Sequence, residues 1–342
     1  MAKLAVRNLR PWLLPDWWDQ NQVRAGAFWE MHSQRLRFGA IRRFGKLRPL
    51  CVHAAGARGT PIAQCLAQRV GGTWVIEQLV LCNDSAQGSD GSAWTDAMHA
   101  VLAHLGPGSY RYGHNWSLEP SREAELASLG GVTVGKVQPV TVHAIENANW
   151  PSDADWLDGI STNVKRNLKR ARAAEVPVAT RWCCGRTSLR NLSASIAMRD
   201  VTLRRLGSPT RQTTALIRRG LAWLIGPEGL RVGIASAGTC ILAALVGYEV
   251  GANFYYSIGG SVPDNNGASW TLLVEAVTEW RRKHPAGRFV LGYLDETLEG
   301  VQREGLLRQR QSLRKSDFPT ALVGFEYRPR AEAGGRWDTK LG

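Results

Sequence analysis

The sequence lacks the features of a secreted or membrane-spanning protein. Its first twenty residues contain no long apolar stretch, and Pro11 and Pro15 interrupt the short run Trp12-Leu13-Leu14, so a signal peptide is not expected. No segment approaches the roughly 18 to 20 uninterrupted apolar residues that a spanning helix needs. These absences predict a cytoplasmic protein without a membrane span.

Metal-binding and redox patterns are also missing. The six cysteines form no CxxC pair and none lies at zinc-finger spacing from a histidine, while the seven histidines form neither HxH nor HExxH. We expect the cysteines to be small buried residues in a reducing compartment. The adjacent pair Cys183-Cys184 leaves a redox or metal site as a less favoured alternative. The prediction is therefore a protein with no metal and no bound cofactor.

What the chain does have is length, tryptophan and positive charge. Its 342 residues are most economically two domains, and 44% apolar residues with 14 Trp argue against disorder. The 43 basic residues outnumber the 29 acidic ones, which gives a formal charge of +14. Only eight of the basic residues are Lys, so arginine, whose rigid fork suits phosphate and carboxylate, dominates. A polyanionic partner is plausible on this ground.

Residues 48 to 150 alternate β-favouring runs with helical patterns. Glycines separate three strand-like runs, which predicts a meander of antiparallel strands. Helices are expected over Ala93–Leu105, where apolar residues fall at helical spacing, and over Pro120–Leu129. The predicted strands are Pro49–Ala55, Pro61–Val70, Thr73–Cys82, Tyr110–Trp116 and Val132–Ile145. These elements make one α/β unit, which we assign to residues 1 to 150.

A long basic helix is predicted to open the second half at Pro151. Ser152 suits its N-cap, and acidic residues follow in the early turns, where the helix dipole favours negative charge. Trp156 and Val164 belong to an apolar stripe at helical spacing. Five cations then fall within eight residues, namely Lys165, Arg166, Lys169, Arg170 and Arg172.

The rest of the chain repeats the element order of the first half. The predicted strands are Val176–Cys183, Leu230–Ala237, Cys240–Glu249, Asn253–Ile258, Arg288–Leu294 and Thr320–Tyr327. The predicted helices are Ser188–Leu206, Arg211–Leu224, Ala268–Lys283 and Leu298–Arg308. Residues 151 to 330 therefore make a second unit, and the tail 331 to 342 is expected to be disordered.

The order of the second half, with two helices and three antiparallel strands ahead of helix, strand, helix and strand, resembles the GNAT acyltransferase fold. Its duplication, the basic run Ser161–Arg172 and the helix Ala268–Trp280 resemble the Fem-type aminoacyl transferases, which join an amino acid from aminoacyl-tRNA to an amine. The resemblance covers most of residues 48 to 328. It implies an α/β (α+β) protein of two tandem GNAT-like domains, each a mixed, mostly antiparallel sheet flanked by helices.

Two family features differ here. The Phe-Lys pair that Fem proteins often carry between the last two strands corresponds to Gln302-Arg303, which keeps a cation, and no coiled-coil arm is visible. The resemblance implies amide bond formation from an already activated ester, so that aminoacyl-tRNA is a co-substrate and neither ATP nor a metal is needed. The acceptor stays open between a cell-wall precursor and a small amine or peptide in natural-product biosynthesis, such as that of an antibiotic.

The resemblance places the reaction where the fourth and fifth strands of the second domain separate. It implies that Asp295 or Glu296 accepts the amine proton or binds the ammonium of the acceptor, that Arg303 stabilises the oxyanion, and that Tyr256 is catalytic. The expected substrate-binding residues are Tyr255, Ser257 and Tyr293. Two plainer alternatives are that each tyrosine packs in the core and that Asp295 caps a helix ahead of Thr297.

Five basic clusters in the second half favour a phosphate-rich ligand. An isolated pair such as Arg218-Arg219 is more simply a solvated helix face, but five clusters favour an RNA surface. Arg303–Lys315 is the first candidate for the acceptor end of tRNA, and the helix 161–172 is the second. The expected tRNA-binding residues are Lys165, Arg166, Lys169, Arg170, Arg172, Arg308, Arg310, Arg314 and Lys315.

Two other functions remain open. Acyl-CoA enzymes bind pyrophosphate on backbone N–H groups ahead of a helix, and the corresponding stretch here is Asp264–Ser269. One glycine of that stretch fits, but the carboxylate of Asp264 would repel pyrophosphate, which disfavours an acyl-CoA N-acyltransferase. The third function is that of a noncatalytic RNA-binding protein with the same fold.

Overall fold

Twelve strands form one continuous mixed sheet in the computed structural model. The structure describes residues 4–26, 33, 36, 46–55, 61–82, 91–205, 207, 229–294 and 300–329. Across the sheet the strands follow the order β1-β2-β3-β4-β5-β12-β6-β11-β10-β9-β8-β7. In the first half the elements are β1 (Leu4–Asn8), α1 (Asp16–Arg24), β2 (Leu47–Ala54), β3 (Ala63–Val70), β4 (Thr73–Leu81), α2 (Ser92–Leu105), β5 (Gly108–Tyr112), α3 (Glu123–Ser128) and β6 (Val132–Glu146).

The second half repeats this order after a short 3-10 turn. Its elements are α4 (Asp153–Gly159), α5 (Thr162–Ala173), β7 (Val178–Cys184), α6 (Leu189–Arg205), β8 (Leu230–Ala237), β9 (Cys240–Val250), β10 (Asn253–Ser261), α7 (Ala268–Lys283), β11 (Arg288–Tyr293), α8 (Gly300–Gln311) and β12 (Ser316–Tyr327). The described elements from β2 to β6 and from β7 to β12 follow the predicted order, whereas β1 and α1 were not predicted. The predicted helix Arg211–Leu224 and the tail after residue 330 lie outside the described residues.

Each half has its own core and one pair of parallel strands. In the first half β4 and β5 are parallel, and α2 packs Trp94, Met98 and Val101 into the core. In the second half β10 and β11 are parallel, and α7 packs Leu272 and Val277 into the core. Apolar residues at helical spacing explain both helices, because only one face of each can be buried. Two tandem GNAT-like units are therefore the fold of the chain.

The predicted long helix at Pro151 is wrong, because two helices replace it. The Ser152 hydroxyl accepts from the backbone N–H of Asp155 at 3.2 Å and caps α4 as expected. Ile160 is extended, however, and the Ser161 hydroxyl accepts from the backbone N–H of Val164 at 3.3 Å, which caps α5 as a new helix. A second N-cap serine inside the apolar stripe was the signal for this break.

The two halves exchange strands at the centre of the sheet. The last strand, β12, lies between β5 and β6, so residues from the end of the chain complete the first half. Val323 and Phe325 are buried in the first core, whereas Ile145 of β6 is buried in the second. The core of each half is therefore completed by a strand that comes from the other half of the chain.

The cysteines divide between the halves. Cys51, Cys65 and Cys82 are buried in the first half, as predicted, but Cys184 and Cys240 are exposed. Both lie near one edge of the sheet, Cys184 at the end of the edge strand β7 and Cys240 at the start of β9. The expectation that all six are buried is therefore wrong. Among the described helices, none is both long enough and apolar enough to cross a membrane.

Candidate functional site

The parallel strands of the second half separate and leave a gap. Strands β10 and β11 pair from Asn253 with Arg288 to Tyr255 with Val290, and then diverge. We call the gap beyond these pairs the strand opening. Backbone groups and side chains at its edges face a space that the sheet does not fill, which is where ligands commonly bind in α/β proteins.

Arg310 of α8 reaches into the strand opening. Its side chain is buried, and its Nη1 donates to Nδ1 of His143 at 3.1 Å. Burial lowers the pKa of Arg310 to about 10, so that the guanidinium stays charged at neutral pH. Among the described residues no carboxylate pairs with it. A buried cation whose other donors have no anionic partner among the described residues is suited to binding an oxygen atom of a ligand.

Tyr256 of β10 places a protonated phenol near this cation. Burial raises the pKa of Tyr256 to about 12, although the nearby charge of Arg310 opposes the rise, so the phenol keeps its proton at neutral pH. In the part of the chain that the structure describes, no group hydrogen-bonds to this hydroxyl. Gly259 leaves room for it, because a Cβ there would collide with the phenol oxygen.

Gly292 makes space for Arg310 on the other side of the opening. A Cβ at Gly292 would lie 3.0 Å from Cη2 of Trp116 and 3.2 Å from Nη2 of Arg310, and its φ of +104° is one that side chains rarely allow. Trp116 also meets the Tyr293 ring edge-on, with centroids 5.8 Å apart. The opening is thus bounded by an aromatic pair, a cation and a phenol.

A cavity of about 380 Å³ adjoins Tyr256. It lies between the end of β10, the first turns of α7 and the face of α8 that carries Leu306 and Gln309. Its apolar wall includes Leu245, Leu272, Leu273 and Trp270, and Arg205 is at its edge. Since Tyr256 belongs to both, a ligand in the cavity can present one end to the strand opening.

The N-terminus of α7 is covered by the basic helix α5. Gly267, at a φ of +81°, is buried at this end, and a Cβ there would collide with the carbonyl oxygen of Asn167 in α5. Asp264 is exposed in the loop before α7, with a φ of +49°. A carboxylate and a neighbouring carbonyl make this helix end a poor site for pyrophosphate.

The structure brings together some of the residues that the sequence singled out. Tyr256 and Tyr293 both lie at the strand opening. Tyr255 lies on the other face of β10 from Tyr256, where its ring centroid is 6.4 Å from that of Trp116 and its hydroxyl donates to the carbonyl of Gly26 at 3.0 Å. Burial also raises the pKa of Tyr255. Ser257 is half-buried on β10 beside Tyr256.

The remaining predicted site residues are Asp295, Glu296 and Arg303. Asp295, Glu296 and Thr297 lie outside the described residues. Arg303 is exposed on α8, two turns before Arg310 on the same helix face. The cation at the opening is therefore Arg310, which the sequence had suggested as part of an RNA surface.

Two residues of this site were missed from the sequence. His143 lies in the long strand β6, and Trp116 follows β5. Both belong to the first half of the chain, and only the central strand pairing carries them to the opening of the second. No local pattern in the sequence marks such a contact between distant strands. The seven-residue spacing of Arg303 and Arg310, by contrast, places both on one face of α8.

The cations expected to bind tRNA differ in their surroundings. All five on α5 are exposed, and in the described part of the chain Lys169, Arg170 and Arg172 have no ion-pair partner. On α8 and after it, Arg308 pairs with Glu304 at 2.8 Å and the Arg314 guanidinium lies 3.8 Å from the centroid of the Trp150 ring. Lys315 pairs with Asp317. Of the two groups of cations expected to bind tRNA, the one on α5 has no ion pair to a described carboxylate at Lys169, Arg170 or Arg172, whereas Arg308 and Lys315 of the other group are paired.

No grouping of three or more His, Cys, Asp or Glu side chains that could hold a metal ion occurs among the residues that the structure describes.

Comparison with known proteins gives a likeness of fold. No protein-family model matches the chain, and no curated protein is significantly similar to it. Among solved structures, FemX is similar with a TM-score of 0.67 and 11% identity, over 94% of this chain and 97% of that one. A conserved protein of unknown function from Bacteroides thetaiotaomicron has a TM-score of 0.55 and 11% identity, over 86% and 90%.

L-PGS from Bacillus licheniformis is also similar, with a TM-score of 0.52 and 10% identity, over 94% of each chain. At such identities the comparisons establish the fold and leave the chemistry to the site. The resemblance of the chain to the Fem-type fold is confirmed.

Proposed function

We propose that the chain is an acyltransferase that moves an aminoacyl group from aminoacyl-tRNA to an amine and forms an amide bond. The observation that carries the proposal is the placement of Arg310 and Tyr256, a buried cation and a protonated phenol, at a strand opening that adjoins a 380 Å³ cavity. An acyl ester needs these two groups, one for its carbonyl oxygen and one for its leaving oxygen.

The chemistry follows from the positions of the two groups. The amine nitrogen attacks the ester carbon, and the negative charge that develops on the carbonyl oxygen is stabilised by the guanidinium of Arg310. As the ester C–O bond breaks, Tyr256 gives its proton to the departing ribose oxygen. The proton that the new amide nitrogen sheds returns to the phenolate, so the site is restored without a cofactor.

The exposed cations of α5 support RNA as the carrier of the acyl group. This helix packs against α7, whose first turns form one wall of the cavity. A ligand with its acyl end in the cavity would therefore extend along α5, which carries the exposed Lys169, Arg170 and Arg172. Phosphates bind such a surface through the release of counterions, with a strong dependence on salt.

The same region disfavours coenzyme A. Asp264 and the Asn167 carbonyl stand where a pyrophosphate would seek N–H groups. We therefore place the reaction in the cytoplasm, where charged tRNA is available, with a small amine or peptide as acceptor. Natural-product biosynthesis and cell-wall precursor modification both offer such acceptors.

Transfer from labelled aminoacyl-tRNA to a panel of amines and peptides tests this proposal. We expect amide product that disappears after RNase treatment and that acetyl-CoA or other acyl-CoA cannot support. Product that forms from acyl-CoA alone would overturn the proposal, as would the absence of product with every charged tRNA and every amine in the panel.

Arg310→Gln should lower kcat by about 100-fold to 1,000-fold, the usual loss when one oxyanion donor is removed. Arg308→Gln, on the same helix but exposed and paired with Glu304, is the matched control and should retain activity within about twofold. Equal activity of the two variants, with equal melting temperatures, would remove Arg310 from the site.

A further inference from the structure

Three strands meet in one row beneath Arg310. His143 of β6 is the register partner of Gly292 in β11 on one side and of Asp317 in β12 on the other. Partners in antiparallel strands present their side chains on the same face. Gly292 offers no side chain, and the guanidinium of Arg310 lies over its position, beside the buried imidazole of His143.

The hydrogen bond fixes the tautomer of His143. A guanidinium can only donate, so Nδ1 of His143 accepts from Arg310 and the ring proton is on Nε2. That nitrogen lies 3.4 Å from Oδ1 of Asp317, a carboxylate that also pairs with Lys315. Asp317 therefore orients the imidazole of His143 through Nε2, and the imidazole in turn orients the guanidinium of Arg310 through Nδ1.

The charges around His143 keep it a neutral acceptor. Burial, with Lys315 before β12 and Arg310 of α8, lowers the pKa of His143 to about 4, and Asp317 of β12 opposes the shift only in part. Its neighbour on β11 is Gly292, which brings no charge. The imidazole is thus neutral at the pH at which the protein works, and it does not repel the guanidinium.

We propose that His143 is a positioning residue for Arg310 and that Asp317 orients His143 in turn. A long arginine side chain has many rotamers, and an oxyanion donor is effective only when it is already in place. The catalytic consequence rests on the proposed function, whereas the tautomer and the restraint on Arg310 do not. The two positioning residues come from β6 and β12, the strands that the halves exchange.

Two substitutions at His143 separate positioning from packing. His143→Gln offers an amide oxygen in place of Nδ1, whereas His143→Leu offers no acceptor. We expect His143→Leu to lower kcat by about tenfold to 100-fold with KM changed less than about threefold, and His143→Gln to restore a large part of the loss. The exposed His104→Gln, in α2, is the control and should match the parent protein.

Equal kcat for His143→Leu and the parent protein would overturn the proposal. So would a loss in His143→Gln as large as that in His143→Leu while both remain folded at the assay temperature. If no transfer is observed for the parent protein itself, the proposed function fails and the positioning proposal is decided by the next measurement alone.

Nitrogen-15 NMR of the imidazole provides that measurement without any substrate. We expect His143 to be the neutral Nε2–H tautomer from pH 5.5 to pH 8, and its Nδ1 resonance to move when Arg310→Leu removes the donor. A ring that is protonated at pH 6, or one with the proton on Nδ1, would overturn the proposal whether or not transfer occurs.

Discussion

Each half of the chain has a gap where its two parallel strands separate, and the polar groups at the two gaps differ. In the first half β4 and β5 separate beyond Ile76 and Tyr112, and the Tyr112 hydroxyl accepts from the backbone N–H of Leu79 at 3.2 Å. Gln78 donates to Glu119 at 2.7 Å in the same region. In the second half the hydroxyl of Tyr256 and the remaining donors of Arg310 have no such partners among the described residues.

The difference shows how one fold serves both scaffold and site. Where the polar groups of an opening satisfy each other, as in the first half, the opening contributes stability and has little left to offer a ligand. In the second half the corresponding groups have no such partners among the described residues, so they are available to a ligand. The first half nevertheless contributes His143 and Trp116 to the second opening, so neither half is a complete functional unit.

The largest expected effect comes from breaking the strand exchange. Val323→Asp places a carboxylate in the first core, on a strand from the end of the chain, and should cost at least about 4 kcal/mol of unfolding free energy. Urea denaturation should show one transition in which both halves unfold together. Ala179→Asp, exposed on the edge strand β7, is the control. Two separate transitions, with transfer activity surviving the first, would mean that the halves are independent.

The contributions of the two openings to the free energy of unfolding should change with pH in opposite directions. His143 has a pKa lowered to about 4, so its contribution is present above about pH 6.5 and is lost as pH falls to about 4, by up to about 3 kcal/mol. Burial raises the pKa of Glu119, so its contribution is present at low pH and is lost as pH rises through the folded-state value.

Urea denaturation at several pH values tests this contrast. His143→Gln should remove the acid-side loss, and Glu119→Gln, which keeps an oxygen for Gln78, should stabilise the protein at pH 7.5 relative to pH 4. His104→Gln should change neither the loss of stability at acid pH nor the loss at alkaline pH. The same pH profile in all four proteins would show that other groups control the stability.

A pair of hydroxyl deletions compares the two openings directly. Tyr256→Phe should lower kcat by about tenfold to 100-fold, because the ribose oxygen loses its proton donor, with almost no change in stability. Tyr112→Phe should leave kcat within about twofold but cost about 1 to 2 kcal/mol, since the N–H of Leu79 loses its acceptor. Steady-state kinetics and thermal melts on both variants give the result. Reversed effects would assign the chemistry to the first half.

The smallest effect is expected at the surface of α5. Lys169→Ala should weaken tRNA binding only a few-fold and should reduce the slope of log affinity against log salt by about 0.9, because one ion pair between lysine and phosphate no longer forms. Lys136→Ala, an exposed lysine on β6, should leave both unchanged. A salt titration of binding measures the slopes, and equal slopes in the two variants would place the RNA elsewhere.

Most of the fold could be predicted from local patterns. Helix α7 was predicted with its observed ends because its apolar stripe, N-terminal glycine and C-terminal cations agree. The break before α5 was missed because the apolar stripe continues across Ile160, while the backbone there is extended. The spacing of apolar residues predicts which face of a helix is buried, but it does not predict where a turn interrupts the helix.

The site was less predictable, because its residues are brought together by pairing. Tyr256 could be named, since the resemblance pointed to the fourth strand of the second domain. His143 could not, because only the register of β6 against β11 and β12 makes it the neighbour of Gly292 and Asp317. Arg310 was recognised as a cation, but its burial depends on how α8 lies across the opening.

The central pairing of β12 also sets the order of events during synthesis. Strands β5 and β6 have no hydrogen bonds to each other and are joined only through residues 316–327. At roughly 5 to 20 residues per second, ribosomes take about 10 to 30 s to proceed from the end of β6 to β12. Throughout that interval the nascent first half presents the unpaired edges of β5 and β6, and unpaired strand edges are prone to aggregation. We therefore expect the unfinished chain to need chaperones until its last strand docks.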